Sequence, residues 1–493
     1  MLHVAPSTIR DIVEAHEPSS IGLVGENETV TREHLRDSVE TIASRLVSRG
    51  LERTDRVAIV VRNGPGAVMA FLGSTLAAVA APLNPAYPEA EFTFAMRDLP
   101  ARVLLTDGSS SAAIAAANAL GIPQLDLGDI LASPPANPEA PRPAPDNVAL
   151  ILHTSGTTGT PKRVPLTHSN LAASASNIAA SLALAPNDRC LNVMPLFHIH
   201  GLMAGALATL SSGGSVVCTP GFDSFRMVSW LESFQPTWYT AVPTMHQALL
   251  ARLRADSRIN HNLRFIRSCS SALPGAVHRE IEERFNVPFV EAYGMTEASH
   301  QIATNPLPPQ ARLPGSVGLP SGVEVAVFGE DSLPSAPGAT GEIGIRGRSV
   351  TSGYEGIDPT EFTYPGGWLR TGDQGFLDSS GYVHLTGRLK ELINRGGEKI
   401  APREVEEALL AHPAVAEAVV FGVPHPMLGE EVAATVVVAA NARQPTTAEL
   451  RAVVAEQLAS FKVPRKIVFV DQIPVGPTGK PQRVGMGQRL GLA

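Results

Sequence analysis

An apolar strand that runs directly into a loop of small and hydroxyl residues constrains this chain more than any other feature. The run Val148–Leu152 leads into the segment 154–162, which reads TSGTTGTPK. Small residues let backbone N–H groups approach phosphate oxygens closely, and the hydroxyl groups add further donors. Lys162 ends the segment with a compact positive charge. The pattern therefore predicts a phosphate-binding loop, with a flexible turn of the same composition as the alternative interpretation.

The spacing of apolar residues predicts an α/β fold. With 493 residues, the chain exceeds the roughly 250–300 at which a single hydrophobic core stops growing, so we expect two or more domains. Apolar residues recur at helical spacing over 35–46, and apolar runs at 57–61 and 103–106 predict buried strands. This alternation is typical of α/β layers with largely parallel strands. Turn-rich segments at 338–353 and 364–367 predict the hairpins of a β-rich subdomain.

The pattern starts afresh after Gly387, which predicts a second domain. Pro402 is placed to open a helix, because proline is well tolerated in the first helical turn. Two short apolar runs predict strands, and Thr446 with a glutamate three residues later forms a capping-box pattern before a further helix. We therefore predict a large N-terminal domain over 1–388 and a small, mobile α+β domain over 389–493.

Composition argues against several classes of partner. The net charge is −8, and no cluster of Lys and Arg reaches the density of a nucleic-acid or membrane-binding surface. The three cysteines match neither a zinc-knuckle nor a disulfide spacing, which favours buried free thiols in a reducing compartment. The N-terminal segment lacks the apolar core of a secretory signal, and the apolar runs are too short to span a membrane. We expect a cytoplasmic protein that does not insert into membranes, and its oligomeric state stays open.

The segment 154–162 resembles the signature loop of the adenylate-forming superfamily, which includes acyl-CoA synthetases, adenylation domains of peptide synthetases and luciferases. In that family the loop holds the pyrophosphate end of ATP. The resemblance implies ATP contacts from Thr154, Ser155, Gly156, Thr157, Thr158, Gly159 and Lys162. Arg163 replaces the glycine that usually follows the Pro-Lys pair. Further family motifs follow in order, so the resemblance covers about residues 21–482.

The segment 291–297, which reads EAYGMTE, resembles the second nucleotide motif of the family. The ring of Tyr293 would stack on adenine, the hydroxyl of Thr296 would reach phosphate, and the carboxylate of Glu297 would bind Mg²⁺. Thr296 and Glu297 are therefore candidate catalytic residues. The resemblance implies further AMP contacts from Ser270, Ser271, Ala272, Glu291, Ala292, Gly294 and Met295. Taken alone, the segment could instead be the start of a helix with an acidic first turn.

Two motifs near the predicted domain boundary resemble those that handle ribose and the hinge. Asp373, in the sequence WLRTGD, would accept hydrogen bonds from the ribose hydroxyls. Arg388 would contact ribose or phosphate. Lys390 is the expected hinge, because a few residues absorb the backbone rotation of a domain movement.

Two motifs of the predicted small domain are implied to act on CoA and on the carboxylate. Gly396, Gly397 and Lys399 would receive the pantetheine arm of CoA, although a β-turn without function is the alternative interpretation. Lys480, in the sequence PTGK, is the expected catalytic lysine. Pro481 stands where the family commonly has an aliphatic residue.

The resemblance implies a ligase that works in two half-reactions. A carboxylate attacks the α-phosphorus of ATP and pyrophosphate leaves, after which the thiol of CoA attacks the acyl carbon and AMP leaves. In the first step, positioned positive groups would provide most of the stabilisation of the transition state. The candidates are Lys480, the phosphate loop with Lys162, and Mg²⁺ bound to Glu297. The small domain would rotate at Lys390 between the two steps. ATP, Mg²⁺, coenzyme A and a small carboxylic acid are the expected cofactors and substrates.

The predicted acid pocket is unusually polar. The resemblance assigns to it His198, His200, Ser270 and His300, with His246 as a further polar neighbour. Pockets for long-chain or aryl acids are mostly apolar, whereas a small dicarboxylate needs hydrogen bonds and positive charge for its second carboxylate. The strings PLFHIHGL, TWYTAVPTMHQ and RSCSSAL are similar to those of oxalyl-CoA synthetases. We therefore predict an oxalate–CoA ligase, with another short, medium-chain or aromatic acid as the alternative.

Two other classes of protein compete with this interpretation. An adenylation domain of a peptide synthetase would carry an aspartate for the amino group of its substrate. The Phe-Asp pair at 222–223 lies well past the segment 195–201, which occupies the corresponding place. An inactive nucleotide-binding homologue would lack key residues, whereas Glu297, Asp373 and Lys480 are all present. Binding of ATP without pyrophosphate exchange would support that second class.

Overall fold

The computed structural model describes residues 6–137, 139–154, 161–253, 259–440, 442–474 and 483–492. The α-helices are Ile9–Glu14 (α1), Arg32–Ser48 (α2), Pro65–Ala77 (α3), Glu89–Asp98 (α4), Ser111–Leu120 (α5), Leu127–Leu131 (α6), His168–Ser181 (α7), Ala208–Ser211 (α8), Met227–Phe234 (α9), Pro243–Leu250 (α10), Gly275–Phe285 (α11), Pro402–Leu410 (α12), Thr447–Gln457 (α13) and Met486–Arg489 (α14). A π-helix spans His200–Leu207, and 3₁₀ helices span Thr296–Ala298, Pro359–Glu361, Leu389–Glu391 and Ser460–Lys462.

The β-strands are Ile21–Val24 (β1), Thr29–Thr31 (β2), Arg56–Val60 (β3), Val79–Pro82 (β4), Ala101–Thr106 (β5), Gln124–Asp126 (β6), Val148–Thr154 (β7), Lys162–Thr167 (β8), Arg189–Asn192 (β9), Ser215–Cys218 (β10), Trp238–Ala241 (β11), Phe265–Ser268 (β12), Phe289–Met295 (β13), His300–Thr304 (β14), Leu319–Pro320 (β15), Glu324–Phe328 (β16), Gly341–Arg346 (β17), Thr363–Tyr364 (β18), Trp368–Leu377 (β19), Val383–Arg388 (β20), Ile393–Arg395 (β21), Glu398–Ile400 (β22), Val415–His425 (β23), Gly429–Val438 (β24) and Lys466–Phe469 (β25).

The chain divides into two compact units. The first comprises Met1–Val325 and Ile345–Leu369, and the second comprises Ala326–Gly344 and Arg370–Ala493. The domain boundary that the sequence suggests between residues 388 and 389 stays a prediction.

The first unit contains a six-stranded sheet with the order β6-β5-β3-β4-β7-β8. Its strands run parallel except β8, which pairs antiparallel with β7. Parallel strands covered by helices are buried on both faces, so they form continuous apolar runs and not alternating ones. The strand β3 shows this pattern, since Val57, Ala58, Ile59 and Val60 are all buried.

A nine-stranded sheet of the same unit has the order β15-β14-β13-β12-β11-β9-β10-β1-β2. The strands from β13 to β1 run parallel, and β14, β15 and β2 add antiparallel edges. The carboxyl ends of β9, β11, β12 and β13 therefore lie along one edge of this sheet. Open α/β sheets bind ligands outside the carboxyl ends of their strands, so this edge is where a site is expected.

Most elements predicted for the first unit are present. The helix predicted over 35–46 is α2, which ends two residues before Gly50 with its φ of +78°. β3, β5 and β7 cover the predicted strands. The hairpin predicted at 364–367 is formed by β18 and β19, with Tyr364 paired to Trp368.

The prediction of a hairpin at 338–353 is wrong. Within that range the structure has a single strand, β17. Gly338 and Gly353 adopt φ values of +85° and +145°, and they bound the segment without folding it back on itself. Glycine-rich sequence alone does not distinguish a hairpin turn from a strand boundary, because glycine at positive φ occurs at both.

The second unit contains a small sheet with the order β22-β21-β24-β23, with β25 beside β24. As predicted, α12 begins with Pro402 in its first turn, and both hydrogen bonds of the capping box between Thr446 and Glu449 are present. The helices and strands share an apolar core of Ile393, Ile400, Val405, Leu409, Val420, Val432, Val436, Leu450 and Val454. This arrangement agrees with the predicted α+β domain.

Composition predicted buried cysteines, and Cys190, Cys218 and Cys269 are all buried free thiols. Burial raises the pKa of the Cys218 thiol to about 12, so this side chain is uncharged at neutral pH. Among the helices of the described residues, none combines the length and the apolar character that spanning a bilayer requires.

Candidate active site

The predicted phosphate loop connects two antiparallel strands. β7 ends at Thr154 and β8 begins at Lys162, and these two residues are paired across the ladder. The Nζ of Lys162 lies 4.2 Å from the centroid of the Tyr354 ring, which is a cation–π distance. Residues 155–160, which carry the predicted contacts of Ser155, Gly156, Thr157, Thr158 and Gly159, lie outside the described residues.

Arg163, which replaces the usual glycine of the family, belongs to an ion-pair network. Its Nε lies 3.2 Å from Oε2 of Glu355, and its Nη1 donates to the carbonyl oxygen of Asp98 at 2.6 Å. Glu355 also accepts hydrogen bonds from Arg56 at 2.9 Å on both oxygens. Charge pairing therefore accommodates the larger side chain, and β8 keeps its pairing with β7 through Arg163.

The motif at 291–297 covers the end of a strand and one helical turn. β13 ends at Met295, Thr296–Ala298 forms a 3₁₀ turn, and β14 returns antiparallel from His300. Gly294 is required by space, because a Cβ atom there would lie 1.8 Å from the carbonyl oxygen of His300. β13 at Gly294 therefore lies close against β14 at His300, next to the turn that carries Glu297.

The other predicted AMP contacts of this unit lie near the carboxyl ends of β12 and β13. Residues 291–293, which include Tyr293, belong to β13 and are buried. Residues 270–272 follow β12, and Ser270 adopts a φ of +78°. Backbone strain of this kind is found preferentially at ligand sites. The stacking of adenine on Tyr293 stays a prediction.

Glu297 fits the requirements of a magnesium ligand. Its carboxylate is 6% exposed, and its Oε1 accepts a hydrogen bond from the Tyr354 hydroxyl at 2.8 Å. Among the described residues, no group of three or more His, Cys, Asp or Glu side chains is placed to hold a metal ion. Mg²⁺ needs no such group, because it usually takes one or two carboxylates and completes its shell with phosphates and waters. Glu297 provides one such buried carboxylate, and Tyr354, which donates to it, also contacts the Lys162 of the phosphate loop.

Three of the four residues predicted for the acid pocket lie together. His200 begins the π-helix, and its Nδ1 lies 3.1 Å from Oγ of Ser270. Its Nε2 lies 2.7 Å from Oγ1 of Thr240. The rings of His200 and His300 stack with their centroids 4.8 Å apart. We call His200, Thr240, Arg267, Ser270 and His300 the polar cluster.

Arg267 is the member of the polar cluster that sequence reasoning missed. Its Nη1 donates to Oγ1 of Thr240 at 3.2 Å and lies 3.3 Å from Nε2 of His300, while its Nη2 donates to Gln301 at 2.9 Å. The side chain is fully buried, and within the described ranges no carboxylate forms an ion pair with it. Burial lowers the pKa of this guanidinium, which nevertheless stays protonated at neutral pH. The sequence feature that could have identified Arg267 is an arginine within the buried four-residue strand Phe265–Ser268, because buried strands rarely contain an unpaired charge.

The structure places the two other histidines of the predicted pocket differently. His198 is partly exposed, and its ring lies 4.6 Å from that of Phe197. His246 is buried against Tyr239 and Phe289. Successive residues of a strand point to opposite faces, so Tyr239 and His246 lie on the face of β11 away from Thr240. Burial lowers the pKa of His246 to about 3, so it is a neutral core residue.

Asp373 and Arg388 are paired in the second unit. They are opposite each other on the antiparallel strands β19 and β20, and Nε of Arg388 lies 2.9 Å from Oδ1 of Asp373. Asp373 is buried, whereas the side chain of Arg388 is half exposed. The pair offers an acceptor for hydroxyl groups next to a donor for phosphate oxygens, as the ribose motif requires.

The predicted hinge and CoA residues also lie in the second unit. Lys390 is exposed in the 3₁₀ helix Leu389–Glu391. Gly396 and Gly397 form the two-residue turn between β21 and β22 with φ values of +61° and +95°. Such a turn needs positive φ at both positions, which accounts for the glycine pair. Lys399 is exposed beside it, and Lys480 lies outside the described residues.

Comparison with known families matches most of the chain. A model of the AMP-binding enzyme family matches residues 11–355, and a model of the AMP-binding enzyme C-terminal domain matches residues 404–480.

Curated relatives match over nearly their whole length. An oxalate–CoA ligase of Arabidopsis thaliana is 42% identical and covers 92% of both chains. An oxalate–CoA ligase of Saccharomyces cerevisiae is also 42% identical, over 87% of this chain and 86% of the relative. A sulfoacetate–CoA ligase of Cupriavidus necator is 39% identical over 90% of this chain and 89% of the relative.

Solved structures share the fold. The crystal structure of ATP-bound MatB from Rhodopseudomonas palustris has a TM-score of 0.91 at 30% identity and covers 98% of both chains. The structure of o-succinylbenzoate coenzyme A synthetase from Bacillus subtilis with ATP and magnesium has a TM-score of 0.86 at 30% identity, with 97% of this chain and 98% of that chain covered. The predicted fold class is therefore confirmed: a large N-terminal α/β domain with several sheets and a small C-terminal domain.

Proposed function

This chain belongs to the AMP-binding enzyme family as an AMP-forming acid–CoA ligase, and on that premise we propose that the acid it activates is oxalate. One carboxylate of oxalate attacks the α-phosphorus of ATP, and pyrophosphate leaves. The thiol of CoA then attacks the acyl carbon of the adenylate, so that oxalyl-CoA forms and AMP leaves.

The observation that carries the choice of an acid with a second anionic group, such as oxalate, is the buried charge of Arg267. Within the described ranges this guanidinium has hydroxyl, amide and imidazole partners but no carboxylate. A buried cation is costly unless an anion compensates it. A substrate that brings a second negative charge to the polar cluster would supply that compensation, whereas an apolar acid would not.

The geometry of the polar cluster suits a short dianion. We assign the contacts with the distal carboxylate to Ser270 and His300. His200 faces Thr240 and Ser270 with its two ring nitrogens, so in this proposal it orients the Ser270 hydroxyl towards the substrate. Nη1 of Arg267 lies 3.3 Å from Nε2 of His300, so Arg267 would hold that ring in place while contributing positive charge. Charge-assisted hydrogen bonds to a carboxylate are about twice as strong as neutral ones, so the cluster favours oxalate over monocarboxylates.

The nucleotide end of the reaction follows the family pattern in this proposal. Lys162 binds the phosphate tail of ATP, and Glu297 holds Mg²⁺, which neutralises phosphate charge when bound. Asp373 accepts hydrogen bonds from the ribose. Lys480 stabilises the charge that develops at the α-phosphate, and rotation of residues 389–493 at Lys390 then brings Gly396, Gly397 and Lys399 to CoA.

Sulfoacetate is a second candidate, because one similar relative is a sulfoacetate–CoA ligase and this acid also carries a second anionic group. The buried Arg267 suits both acids. Their shapes differ, since oxalate is planar with its two carboxylates directly bonded, whereas the sulfonate is tetrahedral and separated by a methylene group. A panel of acids distinguishes them.

The test is AMP formation with ATP, Mg²⁺ and CoA over oxalate, sulfoacetate, malonate, acetate, octanoate and 4-coumarate. We expect oxalate to give the highest kcat/KM, with acetate at least about a hundredfold lower because it cannot pair with the buried cation. A preference for octanoate or 4-coumarate would refute the assignment of oxalate while leaving the ligase class intact.

Replacing Arg267 tests whether its buried charge determines the preference for oxalate. We expect Arg267→Met to lower kcat/KM for oxalate by roughly 10- to 100-fold, the usual effect of losing a charged hydrogen-bond partner, and to leave the KM for ATP unchanged. Arg267→Lys keeps the charge and should retain part of the oxalate activity. The ratio of oxalate to acetate turnover separates a loss of specificity from general damage to the fold. An unchanged ratio in Arg267→Met would rule out this role.

A further inference from the structure

The segment 351–355 joins the strand after the phosphate loop to the turn that carries Glu297. The N–H of Thr351 donates to the carbonyl oxygen of Glu297 at 2.7 Å. Its hydroxyl donates to the carbonyl oxygen of Pro165 in β8 at 2.6 Å. Backbone groups of two separate motifs are therefore held by one short segment, and Tyr354 lies within it.

The side chain of Tyr354 contacts a functional group of each motif. Its hydroxyl donates to Oε1 of Glu297 at 2.8 Å, and its ring lies under the Nζ of Lys162 at 4.2 Å. The ring itself is held edge-on by Phe362, with centroids 5.0 Å apart and planes at 83°. From this geometry we propose that Tyr354 is a positioning residue that holds Glu297 and Lys162 ready for ATP and Mg²⁺.

A tyrosine suits this task better than a charged residue. Its neutral hydroxyl orients the carboxylate of Glu297 without cancelling the negative charge that a cation needs. The ring face attracts the ammonium of Lys162 without occupying its N–H donors, so these remain able to bind phosphate. Groups held in place before the ligand arrives lose less entropy on binding, which strengthens the binding of ATP and Mg²⁺.

This inference rests on the proposed role of Glu297 as the magnesium ligand, and the experiment tests the two separately. Thermal unfolding is followed without acid or CoA, with a fixed amount of ATP and increasing Mg²⁺, so that the readout is binding and not turnover. Glu297→Gln should abolish the part of the Tm increase that depends on Mg²⁺. If it does not, the assignment of Glu297 fails before Tyr354 is considered.

Two replacements of Tyr354 separate its two contacts. Tyr354→Phe keeps the ring and loses the hydroxyl, so we expect the Mg²⁺ concentration for half of the Tm increase to rise about three- to tenfold, with the affinity for ATP in EDTA unchanged. Tyr354→Leu also loses the ring, and it should weaken ATP binding in EDTA as well. The Tm of the Tyr354→Phe protein without ligand should stay close to that of the wild type.

Tyr87 provides a matched control. It also packs edge-on against a phenylalanine, Phe92, with centroids 5.7 Å apart. Tyr87→Phe removes a hydroxyl from a similar environment and should leave the Mg²⁺ titration unchanged. A wild-type Mg²⁺ titration for Tyr354→Phe, in a protein where Glu297→Gln abolishes the Mg²⁺ effect, would overturn the proposal.

Discussion

At the scale of single residues, burial acts differently on histidine and on arginine. A buried imidazole loses its proton easily, and His246 and His168 are therefore neutral inside the first unit. A guanidinium stays protonated under the same conditions, so Arg267 carries its charge into the polar cluster. Residue type thus decides which buried group can attract an anionic substrate at neutral pH.

His168 should make the first unit sensitive to acid. Its Nδ1 accepts a hydrogen bond from the N–H of Ile9 at 3.2 Å, and burial, followed by the nearby charge of Arg53, lowers its pKa to about 4. The unfolded chain binds a proton near pH 6.5, whereas the folded chain does not until about pH 4. The contribution of neutral His168 to the free energy of unfolding is therefore fully present above pH 6.5. It is lost as the pH falls towards 4, by up to about 3 kcal/mol.

The measurement is the free energy of urea unfolding between pH 7 and 4, followed by tryptophan fluorescence. Trp230, Trp238 and Trp368 all belong to the first unit, so the signal reports on it. His168→Asn places an amide oxygen near the position of Nδ1 as an acceptor for Ile9 and does not titrate, so its stability should fall less steeply with acid. Parallel profiles for the variant and the wild type would contradict this account.

At the scale of elements, the hairpin of β13 and β14 links the predicted nucleotide motif to the polar cluster. Glu297 lies in the turn between the strands, and His300 begins the returning strand. His300 adopts a φ of +100° and Ser299 one of +50°, so the return is made with strained backbone. A change in the spacing of the two strands would therefore displace Glu297 and His300 together.

Gly294→Ala should have this effect. Its Cβ would meet the carbonyl oxygen of His300 at 1.8 Å, so the strands must move apart. We expect a loss of about 1–3 kcal/mol in the free energy of unfolding. The rate of pyrophosphate exchange should fall by more than the decrease in the folded fraction of the protein, because Glu297 and His300 both move.

Gly275→Ala is the matched control for this prediction. The nearest atom to a Cβ at Gly275 is Nη1 of Arg279 at 3.7 Å, an ordinary contact, and its φ is not in the left-handed region. This replacement should leave the exchange rate unchanged and the stability unchanged or raised by less than about 1 kcal/mol. If both variants behaved alike, the crowding at Gly294 would not be the cause.

At the scale of the whole molecule, the predicted functional groups are divided between the two units. The phosphate-loop lysine, Glu297 and the polar cluster belong to the first, and Asp373, Lys390 and Lys399 belong to the second. A ligase with two half-reactions can use the second unit differently in each step. The two half-reactions should therefore respond separately to replacements in that unit.

Lys480→Met tests this separation. We expect pyrophosphate exchange to fall by about 10²–10³, because one positioned charge at the α-phosphate is lost. Formation of the thioester from added acyl-adenylate and CoA should stay near the wild-type rate. Lys466→Met, in which the lysine is exposed on β25 of the same unit, should leave both steps unchanged. An equal loss of both steps in Lys480→Met would show that the lysine serves the whole cycle.

Local sequence patterns were sufficient to predict most of the local elements and the order of the motifs. Proline in the first turn of α12, the capping box at Thr446 and the glycine pair at 396–397 act through neighbouring residues, so their structure follows from sequence. The strand before residues 154–162 was predictable for the same reason. The hairpin predicted at 338–353 was wrong because glycines mark both turns and strand ends.

Contacts between side chains that are distant in sequence could not be predicted from local patterns. Arg267, Thr240, His200 and His300 come from three strands and the π-helix. The order of the nine-stranded sheet brings them to one edge, where β11 and β12 end and the antiparallel β14 begins. His246 lies in α10 and packs against Tyr239, which strand alternation places on the face of β11 away from Thr240, and sequence position does not reveal this packing. The contact of Tyr354 with Glu297 likewise joins residues separated by 57 positions. Such contacts depend on sheet order and on burial, and these are properties of the packed chain that no local pattern specifies.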